Sequence, residues 1–164
     1  QKTIEGWITR GATGAKVSRI EPKDNNEGGR FDLAIDFTAV NYAQLMQDRL
    51  LVFKPAIVSR QEMLSLTEVA RKHPVVLEAR NFNEIVRVKL PQGFEVDELP
   101  DPLKLDAPFG SYNTTYAVKD GELIFTRTLA QRAGTIPVAQ YASVRSFFER
   151  IRAAEQSPVV LARK

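Results

Sequence analysis

Apolar residues recur at every second position through most of this chain and at every third or fourth in one late segment, so most elements are predicted strands and one is a predicted helix. Phe31, Leu33, Ile35 and Phe37 alternate with Asp32, Ala34, Asp36 and Thr38, which predicts a strand with one wet face. Lys2–Thr9 reads the same way, with Ile4, Gly6 and Ile8 on one side. Val17–Ile20 predicts a short strand, and residues 21–29 a polar loop. Leu50–Phe53 is apolar throughout, as in a strand buried on both faces. Residues 56–71 read as a helix or an irregular crossing anchored by Leu64, Leu66 and Val69. Val75–Leu77 resumes the strand pattern. Phe82–Leu90 places Val86, Val88 and Leu90 on one face and Ile85, Arg87 and Lys89 on the other. Pro91–Gly93 turns the chain, and Phe94 and Val96 continue the alternation.

The clearest element runs from Phe109 to Leu129. Asp120-Gly121 is a two-residue turn that requires positive φ, which Asp and Gly tolerate. That turn sets the register: Lys119 faces Glu122, Val118 Leu123, Tyr116 Phe125, Thr114 Arg127 and Tyr112 Leu129. Most of these pairs match like with like or opposite charges, and a one-residue slip would destroy the match. Ahead of the hairpin, Leu99-Pro100-Asp101-Pro102 cannot donate normally to a ladder, so the chain crosses there along an edge or between sheets.

After Gly134 the period lengthens. Pro137 suits the start of a helix, and Tyr141, Val144, Phe147, Phe148 and Ile151 share one side. Arg145 and Glu149 form an i,i+4 pair on the other side. The helix is predicted to stop near Pro158, and Val159–Leu161 to return as a strand at a sheet edge. The fold class is therefore mainly β: an antiparallel β-sandwich-like domain with one C-terminal amphipathic helix packed on it. Residues 1–164 form one domain, with residues 1–30 either part of it or the junction with a preceding domain.

Composition narrows the chemistry. The 164 residues are enough to bury a core, and there is no cysteine for a disulfide, a thiolate nucleophile or a zinc-thiolate site. The net charge is +3, with Lys and Arg scattered among acids rather than gathered on a basic face, so nucleic acid is not an expected partner. No apolar run is long enough to span a bilayer, so membrane insertion is not expected. The chain begins at Gln1 inside a regular pattern, which reads as a piece of a longer polypeptide.

Each candidate site meets a plainer reading. Gly11-Ala-Thr-Gly14-Ala-Lys16 has two residues between its glycines, where a phosphate loop has four, and Val17 stands where the hydroxyl belongs; a turn is the better reading. Asp24, Asn25, Asn26 and Glu27 lack the alternating ligands of a calcium loop. Asp32 and Asp36 would lie roughly 13 Å apart along a strand, too far for a retaining carboxylate pair. His73 is the single histidine and has no Cys or second His to work with. Trp7, Phe109, Tyr112, Tyr116 and Phe125 read as core rings rather than a stacking platform. No catalytic residue, metal ligand or cofactor site is therefore assigned.

An ordered set of short motifs remains: Pro74–Leu77, Val88–Pro91 with Gly93, Glu98–Pro100 with Pro102, Phe109-Gly-Ser-Tyr112, the Asp120-Gly121 hairpin, Arg127, Ile136-Pro137 with Tyr141, Arg145 and Phe148, and Val159–Leu161. Over residues 74–161 this set resembles the β-rich C-terminal domain, of unknown function, of bacterial transglutaminase-like proteins. The resemblance implies that the catalytic Cys, His and Asp belong to a papain-like core upstream, so this chain is not itself an enzyme. It also implies a periplasmic or extracellular setting. The expected role is a non-catalytic accessory domain that packs on or orients that core, its partner. Phe109, Gly110, Tyr112, Pro100 and Pro102 are the expected interface, where a contiguous apolar patch should lie. The alternative is an independent binding module for a glycan or a cell-envelope protein, with exposed aromatics such as Trp7 or Tyr42.

Overall fold

The computed structural model describes residues 2–12, 14–25, 30–40, 42–57 and 66–164. Its centre is the predicted hairpin, β9 (Gly110–Lys119) and β10 (Glu122–Gln131), joined by Asp120 at φ 52° and Gly121 at φ 76°. The register runs from Lys119↔Glu122 through Tyr112↔Leu129 without a slip, as the turn chemistry requires. β6 (Arg80–Lys89) flanks β10, and β8 (Leu103–Ala107) flanks β9, giving the order β6-β10-β9-β8.

The second sheet has the order β3-β4-β12-β7, from β3 (Gln44–Met46), β4 (Leu50–Phe53), β12 (Val159–Arg163) and β7 (Phe94–Glu98). β12 lies between β4 and β7, not at the expected edge. Val159 and Leu161 are buried on that central strand. A short pair, β5 (Val75–Leu77) with β11 (Gly134–Ile136), completes the body.

One face of the central sheet carries the core, and two different covers share it. Phe53, Leu123, Val159 and Leu161 pack between the four-stranded sheets, with Val88, Val96 and Tyr116 around them. The other cover is α2 (Tyr141–Gln156), entered through a 3-10 turn at Val138–Gln140 that comes after Pro137. Its Tyr141, Val144, Phe147 and Ile151 pack with Leu105, Phe109, Tyr112, Val75 and Leu77. The helix and the β-sandwich-like arrangement are as the periodicity predicts. Arg145 and Glu149 stand 2.8 Å apart as an ion pair without hydrogen-bond alignment.

The N-terminal region departs from expectation. Lys2–Thr9 is not a strand but lies in α1 (Lys2–Gly11). Ile4 and Ile8 satisfy both a two-residue and a four-residue spacing. The longer period wins because it puts Ile8 and Ala12 together against Ile57. Gly11 is required there, since a Cβ would run into the Ile57 carbonyl. Of the Gly11–Lys16 stretch, Gly11 ends that helix, Gly14 is a turn residue at φ 76°, and Ala15 and Lys16 already belong to the strand that comes next.

β1 (Ala15–Asn25) and β2 (Arg30–Ala39) then form a separate hairpin, and β1 continues through part of the expected loop. Its root (Ala15, Val17, Ile35, Phe37 and Ala39) packs against Ile8, Ala12 and Ile57. Asp32 and Asp36 are exposed on the wet face, as expected. Leu66 is buried, but Val69 is 82% exposed and so is no anchor, and residues 66–74 form no helix. Leu64, Asn26 and Glu27 lie outside the described residues.

Candidate functional site: a groove above a buried ion triad

Cross-strand rows on the inner face of the central sheet explain what the fold positions. In the row Val86–Phe125–Tyr116, Tyr116 packs in the core between the two four-stranded sheets and Val86 against the Ile8–Ala12–Ile57 cluster; in the row Phe82–Leu129–Tyr112–Leu105, the last three pack in the helix-covered half. Between them lies Glu84–Arg127–Thr114–Leu103, the row at the seam. Arg127 is fully buried there.

A buried guanidinium must be paired and hydrogen-bonded. Arg127 Nε donates to Glu84 Oε2 at 2.6 Å, and Nη1 donates to Glu155 Oε1 at 2.6 Å. The Glu84 side chain is 15% exposed and that of Glu155 5%. The Tyr112 hydroxyl donates to the same Glu155 oxygen at 3.5 Å, and the Phe82 ring lies 5.4 Å from the guanidinium carbon. Glu155 comes from the last turn of α2, so the triad ties β6, β10 and α2 together.

The electrostatics follow from burial. Desolvation raises the Glu155 carboxyl above the ordinary range; Arg127 opposes that shift and Glu84 adds to it. For Arg127, desolvation works against the charge, but the two carboxylates outweigh it and its pKa is raised. Burial likewise pushes the Tyr112 hydroxyl up, with the Glu155 charge adding to it.

The far end of this row reaches the surface. The Leu103 amide donates to Thr114 Oγ1 at 3.1 Å, and Thr114 is itself buried. Leu103 then lines an open groove of about 580 Å³. One wall is Glu98, Leu99, Pro100, Asp101 and Pro102. The other is built by Arg150, Ala153 and Ala154 from the C-terminal end of α2, with Ser157 and Pro158 just beyond it. The groove presents proline, leucine and alanine beside the charged Glu98, Asp101 and Arg150, and among the described residues that line it there is no nucleophile–base pair. Among the described residues no group of three or more His, Asp or Glu side chains is placed to hold a metal.

The expected interface residues separate into two sets. Pro100 and Pro102 line the groove, the first half-buried and the second exposed. Phe109 and Tyr112 are 6% and 1% exposed, packed beneath α2, with Phe109 edge-on to Phe147 at 5.3 Å. Gly110 is closed off as well, since a Cβ there would stand 2.6 Å from the Ala130 carbonyl oxygen. These three therefore do not form the apolar surface patch expected of them, because large rings gain more by burial under the helix. Trp7 sits on α1 rather than on a sheet, and Tyr42 is half-buried against Phe53 and donates to the Lys54 carbonyl. His73 is exposed in an irregular segment.

Sequence reasoning missed the triad. Its signal is a charged residue where the alternation calls for an apolar one. Arg127 comes after Leu123 and Phe125 at the inward phase of β10, Glu84 lies between Phe82 and Val86, and Glu155 continues the α2 stripe four residues after Ile151.

Residues 48–161 match the family described as Domain of Unknown Function with solved-structure structure (DUF3858). Its match begins after α1 and the β1–β2 hairpin. The fold is similar to the crystal structure of a "putative protease" from Parabacteroides distasonis ATCC 8503, with a TM-score of 0.60 over 72% of this chain and 16% identity. The similar part is only 24% of that chain, and at this identity the likeness concerns the fold. No curated protein matches the sequence. The family match spans most of the chain, which therefore belongs to DUF3858, a family of domains of unknown function.

Proposed function

We propose that this chain is a non-catalytic accessory domain that packs on, and orients, a transglutaminase-like, papain-like core in the same polypeptide. The observation that carries the reading is the groove at the Pro100–Pro102 crossing: open, and lined by proline, leucine and alanine together with Glu98, Asp101 and Arg150. The ordered motifs of residues 74–161 support the choice of partner by resemblance. The similar domain within a much longer chain described as a protease agrees with an accessory role. An extracytoplasmic, bacterial setting belongs to the same reading.

Leu103 of the groove is tied through its amide to Thr114, in the same row as Arg127, which joins this face to the core. Titration calorimetry of this chain against the separately produced transglutaminase-like core tests the proposal. Pro102→Glu and Ala153→Glu add charge to opposite walls of the groove without touching the core. Saturable heat that both substitutions abolish is the expected result. Absent heat, or heat that neither substitution changes, overturns it.

A further inference from the structure

The triad has an uneven charge count. One guanidinium stands between two carboxylates, so with both glutamates ionised the cluster carries one net negative charge inside the protein. A buried cluster of that kind is relieved either by a second cation or by a proton. Among the described residues, the further groups facing it are neutral. They include Tyr112, Thr114 and Tyr116 from β9, Phe82 from β6 and, beside Glu84, Tyr42. The nearby Lys54 ammonium donates instead to the side-chain oxygen of Gln156. Of the two carboxylates, Glu155 is the more enclosed.

We propose that Glu84–Arg127–Glu155 is a proton-operated clamp on the C-terminal helix: one proton taken up at Glu155 neutralises the cluster and tightens α2 against the sheets, and its loss loosens that seam. The step is a single protonation. The carboxylate becomes a carboxylic acid on Oε2, Oε1 goes on accepting from Arg127 Nη1, and the net charge passes from minus one to zero. Because α2 also forms one wall of the groove, the clamp places pH control behind that surface.

The sign comes from linkage. Glu155 is raised in the folded chain, chiefly by burial, above its ordinary value of 4.5. Between those two values the folded state holds a proton that the unfolded state has released, so this group's contribution to stability falls as pH rises through the window. Other ion-paired carboxylates push the opposite way, so the informative quantity is the comparison with Glu155→Gln, which mimics the protonated form permanently.

Urea unfolding of the 164-residue chain and of E155Q, from about pH 4.5 to about pH 8, tests the clamp. The folding constant of E155Q relative to wild type should rise with pH, by about tenfold for every unit that Glu155 titrates above its ordinary value. A ratio that stays flat or falls overturns the proposal. Should E155Q fail to fold, a carbon-13 carboxyl titration of the wild-type chain decides. A Glu155 midpoint above 4.5 that Glu84→Gln lowers supports the clamp. A midpoint at or below 4.5, or one indifferent to E84Q, overturns it.

Discussion

β9–β10 and β1–β2 are both long antiparallel hairpins, with strands of ten or eleven residues, yet they have different roles. β9–β10 keeps one register throughout, gains a flanking strand on each side and buries its inner face under a helix and a second sheet. β1–β2 is a two-stranded ribbon whose register shifts between Val17 and Arg19; it packs at its root, while Phe31 near its tip is 65% exposed. Backbone pairing is common to both. What differs is cover: isolated two-stranded ribbons are marginal in water, and apolar burial supplies the larger part of stability. Only the covered hairpin can hold a charge such as Arg127, because only there do neighbouring elements supply partners.

The difference can be broken most sharply at Arg127. Arg127→Met leaves two buried carboxylates without their cation and should cost about 4 kcal/mol, read as a shift in the urea midpoint. Its counterpart Arg19→Met removes only exposed ion pairs to Glu21 and Asp36, and the midpoint should not move measurably. Next comes Phe109→Ala, which opens a cavity beside Phe147 and should cost about 3 kcal/mol; Phe31→Ala on the ribbon should leave thermal unfolding unchanged. Gly110→Ala pushes a methyl into the Ala130 carbonyl and should cost about 2 kcal/mol. Within the covered hairpin the smallest effect is expected of Gly121→Ala, about 1 kcal/mol, where space is open but φ is positive.

The same contrast explains how much of the structure was legible in the sequence. The β9–β10 register could be read because Asp120-Gly121 and five cross-strand pairs agree with one another, and local and tertiary preference point the same way. The α2 stripe could be read because its period persists for about three turns, from Tyr141 to Ile151. Lys2–Thr9 could not, since Ile4 and Ile8 fit both periods over so short a segment and the choice rests on contact with Ile57. The placement of β12 between β4 and β7 is a non-local pairing that no neighbouring residue encodes.

At the site, Pro100 and Pro102 marked the crossing and therefore one wall of the groove. The other wall comes from residues some fifty positions later, brought there by α2. Phe109 and Tyr112 were recognisable as large rings, but which face α2 would cover was not written in their own segment. The triad combines three exceptions to apolar phasing on three elements, and each looks like an ordinary surface charge until the register is known.

Native-state hydrogen exchange measures the central contrast directly. Hydrogen-bonded amides in the Phe125–Leu129 stretch of β10 should exchange only through global unfolding, with the free energy obtained from urea titration. The cross-strand hydrogen-bonded amides of the β1–β2 ribbon should exchange through local opening, at a free energy well below the global value. Equal protection in the two hairpins, or early exchange around Arg127, would contradict the view that the seam between sheet and helix is where this domain is held together.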